Sequence, residues 1–492
     1  MQAAVMTATI VGVEAVPVEV QADVSSGLPG FTVVGLGDTA VMEARDRVRS
    51  AVRACGFEFP NARVTVNLAP APLRKHGTGF DLPVALAILI ATRQVPSASA
   101  DGAMAVGELA LDGTVRAVPG MIAFGLAASR AGARLLAAGG RHGPWDGVPG
   151  LSHRPLRRLT ELRHPDAAAL PIATTLTAGT DEGPDLADVR GQCHAKRTLE
   201  IAAAGGHNVL FIGPPGAGKT MLARRLPGIL PPLTDAERLE TAVVHSVAGL
   251  DEGPALAGVR PFRGPHHTAS VAGLVGGGSP PRPGEASLAH HGVLFLDELP
   301  EFGPAALQAL RQPLEDGYLT LVRAEGKIRY PARFNLVAAM NPCPCGFFGD
   351  DVRRCTCRAG DVERYRGRIG GPLLDRIDLC VRVERPAAGA LLSDDTAETT
   401  AAVRERVLAA RERAAARGGE AARLSGAALL ASCELTLQAR RQLEVSASAY
   451  DLSGRGITRA LRVARTIADL EGAARVSPLH VRDAVSYRMV DR

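Results

Sequence analysis

Aromatic residues are scarce in this 492-residue chain: they make up 4 %, with one tryptophan. Its cores must therefore be built from Ala, Leu and Val, and aromatic stacking platforms cannot dominate any nucleic-acid contact. Lysine is scarcer still. Of 56 basic residues only Lys75, Lys196, Lys219 and Lys327 are lysines, and the rest are arginines. Codon bias from a GC-rich genome accounts for the shortage, so each lysine kept against it marks a place to look. No segment reaches the ~18 uninterrupted apolar residues of a membrane span. The N-terminal MQAAVMTATIVG lacks the basic stretch that opens a secretory signal. Eight cysteines, four of them in one short stretch, do not make a secreted disulfide framework. The expectation is a protein of the reducing cytoplasm with no membrane partner.

With 46 % apolar and 22 % charged residues the chain is neither disordered nor a coiled coil, and each domain can bury a core. Its length suggests about three domains. A net charge of +5 permits a polyanionic partner without requiring one.

Residues 1–172 read as mixed α/β. VEAVPVEV and ARVTVNLA have strand length and pattern, DLPVALAILIA is an apolar helix, and Asp112-Gly113 marks a hairpin turn within 105–118. A Thr-, Gly-, Asp- and Pro-rich linker follows at 173–187. Over 188–387, strands, glycine-rich loops and helices alternate as in a parallel α/β domain. From 388 to 492 the pattern is helical. The segment 397–419 ends in glycines that suit a C-cap.

The strongest signal is GPPGAGKT, comprising Gly213, Pro214, Pro215, Gly216, Ala217, Gly218, Lys219 and Thr220. It follows the apolar strand NVLFI and opens a helix, the context a phosphate-binding loop needs. Glycines let the backbone curl so that its N–H groups face phosphates. Lys219 can reach the β- and γ-phosphates of ATP, and the Thr220 hydroxyl can hold Mg²⁺. A second apolar strand, VLFLDE, delivers Asp297 toward Mg²⁺ and Glu298 toward the attacking water. A third, FNLVAAMN, ends in Asn341, which can contact the γ-phosphate or that water. In GGPLLDRIDL, Arg376 is either a structural ion-pair member or a finger inserted into a neighbouring subunit's site. In the helix at 453–472, Arg459 and Arg462 share a face and Arg465 lies one turn on. One of them can touch nucleotide, and a solvated basic face accounts for the others.

These residues resemble an AAA+ ATPase of the helix-2-insert, pre-sensor-hairpin group, and more closely the ComM (YifB-type) magnesium-chelatase-like family. The resemblance rests on VRGQCHAKRTLEIAAAGGHN, RPFRGPHHTAS, GVLFLDELPEF, AAMNPCPCGFFGD, GPLLDRIDL and ARTIADLEG, and covers nearly the whole chain. It implies an AAA+ core with a helical lid, and a homo-hexameric ATP-driven ring acting on DNA in branch migration, with ATP between subunits. In that family's terms Asn341 is sensor 1, Arg376 the arginine finger, and sensor 2 is Arg459 or Arg462.

Two insertions bear on DNA. RPFRGPHHTASVAGLVGGG places Arg260, Arg263, His266 and His267 beside a glycine run, either as a phosphate-facing pore loop or as a plain surface loop. YLTLVRAEGKIRYPARFNL reads as a hairpin joined at Glu325-Gly326, with Arg323, Lys327 and Arg329 near its tip. Phosphate contacts carry no sequence information, so structure-dependent DNA binding is expected.

KHGTGFDLPVALAIL and GELALDGTVRAVPG resemble the Lon-protease catalytic domain of S5-like fold, but that family's Ser falls on Gly79 and its Lys on Ile122. With neither member of the dyad, a scaffold without peptidase chemistry is implied. Lys75 and His76 beside that position either contact a partner or lie on plain surface. Cys343, Cys345, Cys355 and Cys357 form C-x-C-x9-C-x-C, which can hold a structural Zn²⁺ or remain as reduced thiols. Two rival functions stay open: a chelatase motor subunit driving metal insertion, and an ATP-dependent protease or unfoldase.

Overall fold

A computed structural model describes residues 1–139, 143, 145, 147–164, 170–171, 183–323, 326–386, 389 and 397–488. Seventeen strands are found among them. The first ten are β1 (Gln2–Val11), β2 (Glu14–Ser25), β3 (Gly30–Val34), β4 (Arg63–Ala69), β5 (Ala103–Val106), β6 (Glu108–Leu109), β7 (Val115–Arg116), β8 (Arg134–Ala138), β9 (Ser152–Leu156) and β10 (Leu170–Pro171). Eight of these form one mixed sheet in the order β10-β9-β8-β5-β1-β2-β4-β3.

Alternation along β5 shows how that sheet is buried. Ala103 and Ala105 join the core under helices Thr39–Ala54 and Asp81–Ala91, while Met104 and Val106 face the helix Met121–Arg130. Successive side chains point to opposite faces, so a four-residue strand serves two cores. The apolar helix is found at Asp81–Ala91, and β6 pairs with β7 across the Asp112-Gly113 turn, where the Asp112 carboxylate accepts the Thr114 N–H at 3.0 Å. Gly79 lies in the short turn Thr78–Phe80, and Ile122 is fully buried, so neither position offers polar chemistry. Lys75, expected on the surface, is instead 0 % exposed, and its Nζ donates to the Pro70 carbonyl at 2.5 Å. Burial lowers its pKa.

The remaining strands are β11 (Val209–Ile212), β12 (Phe262–Arg263), β13 (Val293–Leu296), β14 (Tyr318–Arg323), β15 (Gly326–Pro331), β16 (Asn335–Met340) and β17 (Leu379–Arg382). Five form a parallel sheet in the order β12-β13-β16-β11-β17. Val209 and Phe211 face one core, and Leu210 and Ile212 the other. Both faces are covered, which is why these strands read as unbroken apolar runs. The fold is therefore α/β, with a parallel P-loop sheet and a helical C-terminal region.

The C-terminal helices Thr400–Ala416, Gly426–Cys433, Leu437–Ala449, Gly454–Leu470 and Pro478–Ser486 have no separate core: Val407, Leu429, Leu461 and Val481 share the cluster of Val209 and Phe211. Residues 173–182 of the expected linker lie outside the described residues, as does Glu325 of the expected hairpin turn. Within 183–187, Asp185 accepts the Thr400 N–H at 2.8 Å and Leu186 is buried, so this stretch is docked against the first C-terminal helix and the core it shares with the parallel sheet. The two sheets meet where Ala242, Val243 and Ala255 enter the cluster around Phe124, and the Gly120 N–H donates to the Ser246 carbonyl at 2.8 Å.

Candidate active site

In a parallel sheet every strand ends at the same edge, so loops distant in sequence converge there. β11 runs into the phosphate loop, β13 into Asp297 and Glu298, and β16 into Asn341. The loop needs its glycines for two different reasons. A Cβ on Gly213 would lie 2.1 Å from the Val383 carbonyl oxygen, a steric exclusion. Gly216 and Gly218 adopt φ of +78° and +87°, the left-handed region.

The side chains gather within hydrogen-bond reach. Lys219 Nζ donates to the Gly213 and Pro214 carbonyls at 2.6 and 3.1 Å and to Asn341 Oδ1 at 3.1 Å. Among the described residues Lys219 forms no salt bridge, although it is only 9 % exposed. Burial lowers its pKa, and Asp297 and Glu298 oppose that shift. A buried ammonium held only by neutral oxygens fits an anionic polyphosphate as its partner. Thr220 donates to Asp297 at 2.8 Å. That is close to the edge of an Mg²⁺ octahedron, about 2.9 Å for ligands at 2.0–2.1 Å, so these two oxygens suit a hard cation.

Glu298 sits at φ +52°, an uncommon conformation for a side chain of this size. Its carboxylate lies 3.3 Å from His267 Nδ1. By sequence His267 belongs to a loop that either faces phosphates or is plain surface. Its reach to the Glu298 carboxylate was not visible in the sequence, because 31 residues and a strand separate the two. A second residue missed is Tyr365, whose hydroxyl lies beside the Asn341 backbone; burial pushes its pKa up to about 12.

Arg376 occupies the opposite edge of the sheet. Asp378 and Leu379, just after it, donate to the Asn208 carbonyl, where β11 begins. Four strand residues, roughly 13 Å, separate that edge from the P-loop. Arg376 therefore lies away from the nucleotide loop of its own chain. It pairs with Glu315, its Nη1 donates to the Pro372 carbonyl at 2.5 Å, and it lines a groove of about 640 Å³ with Asp375, Arg459 and Arg462.

Arg459 and Arg462, the candidates for a nucleotide contact, lie on this groove with Arg376 and not at the phosphate loop of their own chain. Arg459 is 4 % exposed and donates to the Leu374 and Ile377 carbonyls and to Asp375, while Arg462 donates to the Leu424 carbonyl. The solvated basic face is overturned: Arg465 is 0 % exposed and bonded to Asp469.

The first insertion needs a similar correction. Arg260 turns inward to the Pro231 and His291 carbonyls, and burial lowers its pKa to about 10. Arg263 makes a two-pronged pair with Glu285 at 2.7 and 2.8 Å. Neither guanidinium is presented to a phosphate backbone, because inward carbonyls and a carboxylate already satisfy them. His266 lies ring against ring with His267, 4.1 Å between centroids, and remains exposed. In the hairpin, Arg323, Lys327 and Arg329 are all exposed and form no salt bridge among the described residues, and the Arg329 guanidinium covers Tyr318 at 3.6 Å. The two insertions touch: Tyr330 donates to the Pro281 carbonyl at 2.9 Å. The four cluster cysteines are free, and their sulfurs lie within 4.8 Å of one another. Among the described residues no helix is long and apolar enough to cross a membrane.

Known proteins match this arrangement along its whole length. The family model for magnesium chelatase subunit ChlI covers residues 185–391, its companion for the N-terminal part covers 20–138, and its C-terminal model covers 397–488. The protein YifB of Salmonella typhimurium is 46 % identical over 100 % of this chain and 97 % of its own, and YifB of Escherichia coli is 44 % identical over 99 % and 97 %. Competence protein ComM of Haemophilus influenzae is 44 % identical over 98 % of this chain and 96 % of its own. With Lys219, Thr220, Asp297 and Asn341 joined at one sheet edge and these matches end to end, the chain belongs to the magnesium-chelatase ChlI-like family of AAA+ P-loop proteins that includes YifB and ComM.

Proposed function

We propose that this protein is an ATP-dependent DNA motor of the helicase or branch-migration type, working as a homo-hexamer on recombination intermediates. The observation that carries the reading is the 3.3 Å contact between His267 and Glu298. It joins an insertion exposed to solvent to the carboxylate that handles the attacking water, so a ligand moving the insertion changes hydrolysis. Arg323, Lys327 and Arg329 on the adjoining hairpin, exposed and in no salt bridge among the described residues, supply a phosphate-binding surface. The name of the ComM relative, a competence protein, agrees with a role in DNA uptake.

ATP with Mg²⁺ supplies the phosphoanhydride and a charge-neutralising cation. Lys219 binds the β- and γ-phosphates, Thr220 and Asp297 hold the cation, Asn341 orients the γ-phosphate, and Glu298 accepts the proton of the attacking water. Arg376, remote from its own Lys219, faces a neighbour's nucleotide across a subunit boundary. Arg462 lines the same groove and acts from the same side. Eight free cysteines suit a reducing cytoplasm.

The test is the ATPase rate of the full-length protein alone and with single-stranded, duplex and four-way-junction DNA. Stimulation by DNA, greatest with the junction, is expected. Absence of both stimulation and DNA binding at low salt, where phosphate contacts are strongest, overturns the reading.

A further inference from the structure

The sulfurs of Cys343, Cys345, Cys355 and Cys357 all lie within 4.8 Å of one another, close enough to surround one ion. Cys343 Sγ lies 3.4 Å from Cys345 Sγ and 3.7 Å from Cys355 Sγ, and the latter two are 3.6 Å apart. For Zn–S bonds of about 2.3 Å the edge of a ZnS₄ tetrahedron is about 3.8 Å. Disulfides do not account for this, since three sulfurs touch mutually and a bridge joins only two, at about 2.05 Å. Backbone amides point at the sulfurs. Cys345 N–H donates to Cys357 Sγ and Phe348 N–H to Cys343 Sγ, both at 3.3 Å, and Cys357 N–H donates to Cys355 Sγ at 3.4 Å. Such donors stabilise thiolates that ligate a metal.

Four thiolates around a divalent cation leave two negative charges. The same loop is ringed by cations: Arg353 and Arg385 lie over Phe347 at 5.3 and 5.5 Å, and Arg366 over Phe348 at 5.4 Å. We propose that these four cysteines bind one structural zinc ion that clamps the sensor loop against the phosphate loop. Soft thiolates in tetrahedral array select zinc over the hard Mg²⁺ of the nucleotide site.

The clamp follows from what the ligands flank. Cys343 comes two residues after Asn341. Gly346, at φ +85°, lies so close to the phosphate loop that a Cβ there would be 2.7 Å from Pro215 Cδ. On the far side, Cys355 and Cys357 lead into the helix Ala359–Gly367. That helix carries Arg366, which donates to the carbonyl of Pro342, the residue after Asn341, at 3.3 Å, and Tyr365, whose hydroxyl lies beside the Asn341 backbone. The metal thus ties together both chain segments that fix Asn341.

The test uses the full-length protein purified without chelator and without added metal. Elemental analysis is expected to find about one zinc per chain, falling below about a tenth in Cys355→Ser/Cys357→Ser and unchanged in Cys193→Ser, an exposed cysteine outside the cluster. Protein grown in cobalt is expected to show the visible absorption of tetrahedral Co²⁺ with intense sulfur-to-metal charge transfer. That second readout stands even if the double variant fails to fold. Less than about a tenth of an equivalent in wild type, with no cobalt spectrum, overturns the site. For the clamp, binding of a fluorescent ATP analogue to folded, zinc-free double variant is expected to weaken by at least about tenfold. Unchanged affinity there overturns the clamp. Neither measurement involves DNA, so failure here is separate from failure of the motor reading.

Discussion

Replacing His267 with alanine tests whether the first insertion controls hydrolysis. His267 Nδ1 and the Glu298 carboxylate are 3.3 Å apart, with side chains 31 % and 54 % exposed. Pairs this open to water are worth about 0.5–1 kcal/mol, far below the Coulomb energy at that distance in a dry interior. In the proposed mechanism the contact holds Glu298 in one orientation, and Glu298 leaves it to reach the attacking water. Removing 0.5–1 kcal/mol of restraint raises the population of the free carboxylate by about 2–5-fold. Basal ATP hydrolysis by His267→Ala is therefore expected to rise about 2–5-fold while the DNA-saturated rate stays constant, so the stimulation ratio falls by the same factor. His267→Gln, which can still hydrogen-bond the carboxylate, is expected to lie between the two. The assay is steady-state phosphate release at saturating ATP, with and without junction DNA, on assembled protein. A basal rate at or below wild type with an unchanged stimulation ratio would refute the reasoning, because the contact would then neither restrain Glu298 nor report on the insertion.

Arg376→Ala is expected to assemble normally, bind nucleotide, and lose at least about 10³-fold in hydrolysis, the scale of an arginine finger; hydrolysis at the wild-type rate by assembled protein refutes the in-trans role. Gly213→Ala, whose Cβ would meet the Val383 carbonyl oxygen at 2.1 Å, is expected to abolish nucleotide binding as thoroughly as Lys219→Ala, measured by equilibrium binding of an ATP analogue. Asp81, fully buried, accepts two Arg47 N–H groups at 2.7 and 2.9 Å and the Leu109 N–H at 3.1 Å. Asp81→Asn is expected to destabilise the N-terminal unit by about 3 kcal/mol, read from the fluorescence of Trp145 in urea. His290 Nδ1 accepts the Arg333 N–H at 3.0 Å, so the ring is neutral, and burial lowers its pKa to about 4. The unfolded chain protonates first, so this contribution is full above pH 6.5 and is lost as pH falls toward 4. Thermal unfolding should show about 2 kcal/mol lost between pH 7 and 5, and His290→Gln should flatten that slope.

Some features were legible because they are local. The phosphate loop, the acidic strand end and the Asp112-Gly113 turn each depend on backbone conformations that particular residues permit, and a short window of sequence records them. The helix Thr400–Ala416, followed by Gly418 and Gly419 at positive φ, was marked by the same chemistry. Motif spacing placed the Lys219–Thr220 pair, Asp297 and Asn341 after three separate strands, and a parallel sheet leaves those strand ends one edge to share.

What the sequence by itself determined, then, is the set of strand ends and turns, and through them the nucleotide site. The tertiary structure alone decided which way the long side chains point. Arg260, Arg459 and Arg465 sit in segments whose spacing suits an exposed basic face, yet packing turned each toward inward carbonyls or carboxylates. An arginine has an apolar stem and a charged head, so either direction satisfies local pattern, and only the full set of neighbours settles it. The same holds for His267 against Glu298 and for the sulfurs of Cys343 and Cys355. Those contacts join segments that the chain separates, and no local propensity encodes a distance between them.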